Sequence, residues 1–297
     1  MRSESRFQRI REWMECLPLR GFYRACVLRS TQNESRSVCM NLCHDFRYGK
    51  IIYNTLDMFV GKSLKLYGEF SQGEAYVFEQ MIRPGDCVVE VGANIGSHTV
   101  HLAQLVGNDG VVWAFEPQRL VFQILAGNMA INSLVNVHCE QKCVSDTMGK
   151  VKVPTLDVSR VNNWGGLSLE KTEEGEPVDM ITLDSLGLSR CDFLKIDVEG
   201  MELKVLKGGK GLINSFRPII YAEADREDKK KALFSWLHAK RYRIYSHNPP
   251  LYNPDNYFGN PDNVFRQGEA YIVSFNVLCL PNERHYEVQG LKEITEW

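Results

Sequence analysis

The chain has 297 residues, room for one large domain or two small ones. Its 44% hydrophobic and 24% charged residues are ordinary globular values, which exclude a disordered, collagen-like or membrane-spanning chain. Lys plus Arg number 35 against 37 Asp plus Glu, a formal net charge of -2, so bulk attraction to nucleic acid or anionic lipid is excluded and any such contact is local. No run of about 18 uncharged apolar residues occurs and the first residues lack the apolar core of a secretory signal, so no transmembrane segment and a cytoplasmic setting are expected. Nine scattered cysteines are expected as reduced thiols. The spacings Cys39-x3-Cys43-His44 and Cys139-x3-Cys143 are not the two-residue knuckle of zinc sites, and no metal is expected. Cys87, Cys139 and Cys191 read as small hydrophobes in or beside strands.

The first thirty residues are basic, and Phe7, Ile10, Trp13, Met14 and Leu17 fall at helical spacing until Pro18. Such a helix suits peripheral contact with a membrane or partner, or packing on its own domain or a second copy of it. Residues 31–70 carry short alternating runs, SVCMNL, KIIYN and SLKLYGEF, that predict a small β-containing lead-in. Residues 1–75 are thus expected as an N-terminal α+β extension and 76–297 as the main domain.

From residue 85 the pattern is regular. Strands are predicted at Cys87 to Val91, Val111 to Phe115, Val135 to Cys139, Phe193 to Ile196, Ile219 to Ala222, Tyr242 to Tyr245 and Tyr271 to Leu280, with helices between most of them, including 118–132. This alternation predicts an α/β fold with a doubly wound, Rossmann-like sheet of seven strands. The last two strands are joined by a long loop, which suits a hairpin-like antiparallel strand at the sheet edge.

Gly92, Asn94 and Gly96 fall on the turn after the first regular strand, where backbone passes close to a ligand and positive φ is needed; tight strand-to-helix packing alone would ask for the same glycines. The spacing G-x-N-x-G is not the G-x-G-x-x-G that seats a pyrophosphate. Glu90, two residues earlier, suits a cationic amino-acid group and repels a diphosphate. Glu116-Pro117 ends the next strand, where a carboxylate accepts both hydroxyls of a ribose. Ser145-Asp146 follows the third strand, as an adenine contact or an ordinary turn. Together these features describe a cationic nucleoside with an amino-acid tail, S-adenosylmethionine.

Residues 191–202 read CDFLKIDVEGME, and a period of two places Lys195, Asp197 and Glu199 on one face of the fourth strand. A buried lysine is tolerable only beside an acid, Asp197 or another at the strand mouth. Asp197, Glu199 and Gly200 lie where strand becomes loop, and Glu223 ends the following strand on the same rim. Lys195, Asp197, Glu199 and Glu223 are therefore the catalytic candidates, with Asp197 also beside the cofactor. Asp197 or Glu199 is expected to take a proton from a hydroxyl nucleophile, the alternative being a structural ion-pair network.

In order along the chain, YGEFSQGE, RPGDCVVEVGANIGSHT, VVWAFEPQ, NMAINSLVNV, ITLDSL, DFLKIDVEGMELKVLKGG and RPIIYAE resemble the FkbM family of S-adenosylmethionine-dependent methyltransferases over roughly residues 65–280. The resemblance implies a class I methyltransferase fold and methyl transfer, usually to a hydroxyl oxygen of a sugar, glycolipid or polyketide-type small molecule. It supports Glu90, Gly92, Asn94, Gly96 and Glu116 as cofactor-binding and puts Lys195, Asp197, Glu199 and Glu202 in the family's second signature. Glu90 departs from the Asp that many methyltransferases carry. In such enzymes the lead-in folds over the cofactor, which would bring Glu69 and Glu74 to the methionine end or the acceptor, although Glu74 also suits a helix cap. Asn163, Trp164, Tyr252 and Asn256, on two amide- and aromatic-rich loops, suit a polyhydroxylated acceptor as well as plain turns. His98, on the helix after the glycine turn, is a further candidate to face the ligand. N-methylation of an amine stays open. A nicotinamide-dependent oxidoreductase is disfavoured by Glu90 and Asn94, and a non-catalytic nucleotide-binding module by the acids at 197, 199 and 223.

Overall fold

The computed structural model describes residues 41–297 apart from 158–159, 167–168, 170–173, 268–269 and 287. The basic amphipathic segment expected near the start lies outside the described residues. The chain first folds back as an antiparallel hairpin, β1 (Asn41–Phe46) on β2 (Gly49–Asn54). The run SLKLYGEF, expected as a strand, instead supplies most of helix α1 (Val60–Tyr67). Val60, Leu64 and Tyr67 recur at helical spacing and all are buried, and Gly68 closes the helix at φ 65. Helix α2 (Gln72–Met81) follows, with Glu74 in its first turn.

Strand and helix then alternate: β3 (Cys87–Val91), α3 (Thr99–Val106), β4 (Val111–Phe115), α4 (Arg119–Ile131) and β5 (Val137–Glu140). A small three-stranded sheet comes next, with β6 (Cys143–Val144) and β7 (Gly149–Val153) flanking β8 (Glu176–Ile181). The alternation resumes with β9 (Phe193–Ile196), α5 (Glu202–Gly208), α6 (Lys210–Phe216), β10 (Ile219–Glu223), α7 (Glu227–Ala239) and β11 (Tyr242–His247). A two-residue pair, β12 (Arg266–Gln267) and β13 (Ala270–Tyr271), precedes β14 (Asn276–Pro281) and β15 (Lys292–Glu293).

The main sheet runs β15-β11-β14-β10-β9-β3-β4-β5. Its strands from β10 to β5 are parallel, and β14 runs antiparallel to both β10 and β11. The antiparallel strand expected at the edge thus lies two places in, and β15 makes an eighth strand outside β11. All six residues of β14 are buried, which an edge strand would not allow. Connections leave β3 toward β4 on one side and return to β9 on the other, so the topological switch point lies between β3 and β9.

One face of the sheet is sealed by α2, whose Phe78 meets Phe193 at 5.7 Å and Tyr221 at 5.2 Å, both edge-on. The other face packs Leu194, Ile196 and Ile220 against Val205, Leu206 and Leu237. The described residues from Asn41 onward belong to one compact unit. No helix among the described residues is long and apolar enough to cross a membrane.

Candidate active site

At the carboxyl end of β3 the chain turns through Gly92 at φ 84 and Asn94 at φ 51. A side chain at Gly92 would collide with the Asp197 carbonyl oxygen, so glycine here lets the β3 and β9 loops touch. Asn94 holds its left-handed backbone with its own amide, whose Oδ1 accepts from the Ile95 N–H at 2.7 Å. Gly96, at φ 86, is also close-packed: a Cβ there would press on Leu125 and Met129 of α4.

Glu90 and Lys195 are register partners on β3 and β9 and both are almost fully buried. Lys195 Nζ lies 3.6 Å from Glu90 Oε1 and 3.3 Å from Asp197 Oδ2, the acid partners expected of a buried lysine. Burial alone pulls the ammonium pKa down, but Asp197, Glu90 and Glu74 together hold it above its ordinary value. Glu90 also accepts from Thr99 Oγ at 2.6 Å, and burial raises its pKa against the pull of Lys195. At the end of β4, Glu116 accepts from the backbone N–H of Asn94 at 3.1 Å and of Gln118 at 2.8 Å. Burial pushes it up to about 7.

Two adjoining cavities open over this turn. The larger, about 520 Å³, is lined by Glu74, Glu90, Asn94, His98, Lys195 and Asp197 together with Glu199, Glu223, Asp225, Arg226 and Asn276. The smaller, about 60 Å³, is an apolar slot between Phe115, Pro117, Val144, Trp164 and Val198. Gly92, Glu116, Gly165, Asp197 and Glu199 line both. The loop 162–166 closes over Asn94, with Asn163 and Gly166 on the larger cavity and Trp164 in the slot.

The acids of the rim are crowded. Glu199, itself at φ 55, bonds Arg226 at 2.5 Å, and burial with Asp197 beside it pushes its pKa to about 7. Asp225 is 3.3 Å from the same guanidinium. Glu223 is pushed up to about 10, by burial first and then by Asp197 and Glu199. Glu199, Glu223 and Asp225 each bring a carboxylate oxygen within 4.8 Å of the others, so Glu223 converges with these two acids. At the base of α2, Glu74 accepts from Ser71 Oγ at 2.7 Å and burial lifts it to about 6. His98 Nε2 stands 3.8 Å from Glu74, and burial keeps the imidazole neutral well below its usual pKa.

Other sequence candidates lie elsewhere. Glu69 is held by Arg47 Nε at 2.7 Å, Asn253 Nδ2 at 2.9 Å and the Tyr257 N–H at 2.9 Å, and so brackets the 252–263 loop to the lead-in. Tyr252 donates to the Pro261 carbonyl, and Asn256 bonds Asn253 and Asn260; both stay inside that loop, off either cavity. Ser145 and Asp146 stop short of the slot, which Cys143 and Val144 line instead. Thr99, Asp225, Arg226 and Asn276 escaped the sequence reading. The rule that ligands sit beyond strand carboxyl ends would have reached Asp225 and Arg226, two and three residues past Glu223, whereas Asn276 opens an antiparallel strand and carries no such signal.

Residues 90–244, more than half of the chain, match the family model described as the Methyltransferase FkbM domain. The 31-O-demethyl-FK506 methyltransferase FkbM of Streptomyces tacrolimicus is 28% identical over 181 residues, 50% of this chain and 69% of its own length. Methyltransferase sdnD of Sordaria araneosa is 28% identical over 159 residues, 41% of this chain; the chain spans 59% of that relative's length. The crystal structure of methyltransferase FkbM from Methylobacillus flagellatus KT gives a TM-score of 0.44 at 16% identity, covering 69% of this chain and 50% of that one. With the glycine turn and the acid ending β4 both inside the matched span, the chain belongs to the FkbM methyltransferase family.

Proposed function

We propose that the chain is an S-adenosylmethionine-dependent methyltransferase acting on a hydroxyl oxygen of a small acceptor such as a sugar, a glycolipid or a polyketide-type molecule. The observation that carries this reading is the junction of an apolar slot with an acid-rich cavity at Glu116. The slot suits an adenine ring, and it holds a buried donor without a partner, Trp164 Nε1, that a ring nitrogen would satisfy. Glu116 stands where ribose hydroxyls would emerge. Glu90 and Lys195, beside the Gly92 turn, offer both charges to a zwitterionic amino-acid tail. A diphosphate would meet Glu90, Glu74 and Asp197 instead, which favours a sulfonium over a dinucleotide. When bound, S-adenosylmethionine supplies a methyl group on sulfur: an acceptor oxygen bonds its carbon as the carbon–sulfur bond breaks, the electron pair returns to sulfur, and one proton is released.

The chain's own residues position the partners and exclude water. Phe59, Val60 and Phe70 line the larger cavity with Glu74, so this stretch of the lead-in acts as its cover. Asp197 and Glu199 are engaged by Lys195 and Arg226, so they set the charge of the rim. The reaction is placed in the cytoplasm, where the six free cysteines of the described residues would stay reduced. The test is mass spectrometry of hydroxylated and aminated acceptors incubated with the protein and S-adenosylmethionine. Hydroxylated acceptors should gain one methyl group; methylation of amines alone would contradict the reading.

A further inference from the structure

Glu223 on β10 and Asn276 on β14 are register partners, so their side chains stand on the same sheet face, with Cβ atoms about 5 Å apart. Both line the larger cavity. Asn276 is 6% exposed and its Nδ2, although near the Tyr221 hydroxyl, makes no hydrogen bond of good geometry; Glu223 Oε2 is a buried atom with no partner. An unsatisfied buried donor thus faces an unsatisfied buried acceptor across a neighbouring position, and the two are not bonded to each other. Leaving such groups without partners costs stability, which a ligand bridging them would recover. The surrounding groups are engaged: Tyr221, next to Asn276, shares its hydroxyl with His247 Nδ1 at 2.7 Å, Glu199 and Asp225 hold Arg226, and Asp197 holds Lys195.

We propose that Asn276 Nδ2 and Glu223 Oε2 together hold the acceptor's reacting hydroxyl, the amide donating to its oxygen and the hydroxyl donating to the carboxyl group. The proposal rests on the methyltransferase reading above and adds to it the chemical selection of the acceptor atom. A hydroxyl oxygen has two lone pairs, one to accept from Asn276 and one to attack the methyl carbon. A neutral amine has a single lone pair and loses it to whichever it does first; an ammonium has none. The paired groups therefore select oxygen over nitrogen. As the oxygen–carbon bond forms, the proton of the hydroxyl passes to Glu223 Oε2, which must be ionised to take it. Asp197, Glu199, Asp225 and Glu202 around Glu223 oppose that ionisation and make the carboxylate a strong base once formed, with Lys195 and Arg226 as the nearby cations.

The test is a crystal structure of the full chain with S-adenosylhomocysteine, soaked with glycerol as a small polyol, for the wild type and for Asn276→Leu. Expected is one oxygen, of glycerol or water, within hydrogen-bond distance of both Asn276 Nδ2 and Glu223 Oε2 in the wild type. That oxygen should be lost in the variant while the nucleoside stays bound. A dry gap, or an Asn276 amide bonded straight to Glu223 or Tyr221 with the nucleoside in place, overturns the proposal. The wild-type crystal decides even where the variant fails to fold. Calorimetry of the same protein separates the two levels: no affinity for S-adenosylhomocysteine would overturn the cofactor reading itself.

Discussion

Gly92 and Asn94 show how little freedom single residues have at the turn after β3. An alanine at 92 must adopt φ 84 and drive its methyl group into the Asp197 carbonyl. Gly92→Ala should therefore abolish adenosyl-ligand binding and lower stability by roughly 1–3 kcal/mol, measured by calorimetry and by denaturant melts. Asn94→Gly should be nearly silent in the melt, whereas Asn94→Ala should lose about 1 kcal/mol with the left-handed backbone unsupported. Equal melts for those two variants would contradict the assigned role of the Asn94 amide. Glu223 gives a pH signature. Its pKa rises from 4.5 unfolded to about 10 folded, so the folded state keeps a proton that the unfolded chain has lost, and stability falls as pH climbs through that window. Glu223→Gln should melt higher than wild type at about pH 8 by the order of 1 kcal/mol, with the difference shrinking toward about pH 5. Methyl transfer by the wild type should rise with pH above neutral as Glu223 ionises, and the variant should lose that rise.

Among the elements, α2 couples stability to the site. Phe78 fills the space between Phe193, Tyr221 and His98, while Glu74 four residues earlier lines the larger cavity. Phe78→Ala should destabilise by roughly 3–5 kcal/mol and weaken nucleoside binding in parallel; unchanged binding in a destabilised protein would detach α2 from the site. The parallel strands were legible because runs such as CVVEV and FLKI, buried on both faces, are apolar but for the paired Glu90 and Lys195. The helix α1 was not, since SLKLY reads as alternation over five residues and only Val60, before that run, reveals the helical period. The place of β14 depends on a long return of chain that no local pattern encodes. In the site, the charged residues on strand ends were legible from position alone. The roles of Glu69, Tyr252 and Asn256 were not, because their polar atoms close a loop tied to Glu69 across 188 residues of sequence.

For the molecule as a whole, charge says what enters. A net charge of -2 conceals a cavity where Glu74, Glu90, Glu116, Asp197, Glu199, Glu223 and Asp225 face Lys195 and Arg226. On the proposed reading such a cavity should draw a sulfonium and repel a diphosphate, even where burial leaves some of the acids protonated. Glu116, just past β4, lines both cavities. The direct test is calorimetric titration of the wild type and Glu116→Ala with S-adenosylmethionine, S-adenosylhomocysteine and NAD. The account predicts binding of both adenosyl ligands, weakened at least about tenfold, or ~1.4 kcal/mol, in the variant, and none of NAD. Binding of NAD alone, or adenosyl-ligand affinity indifferent to Glu116, would contradict it.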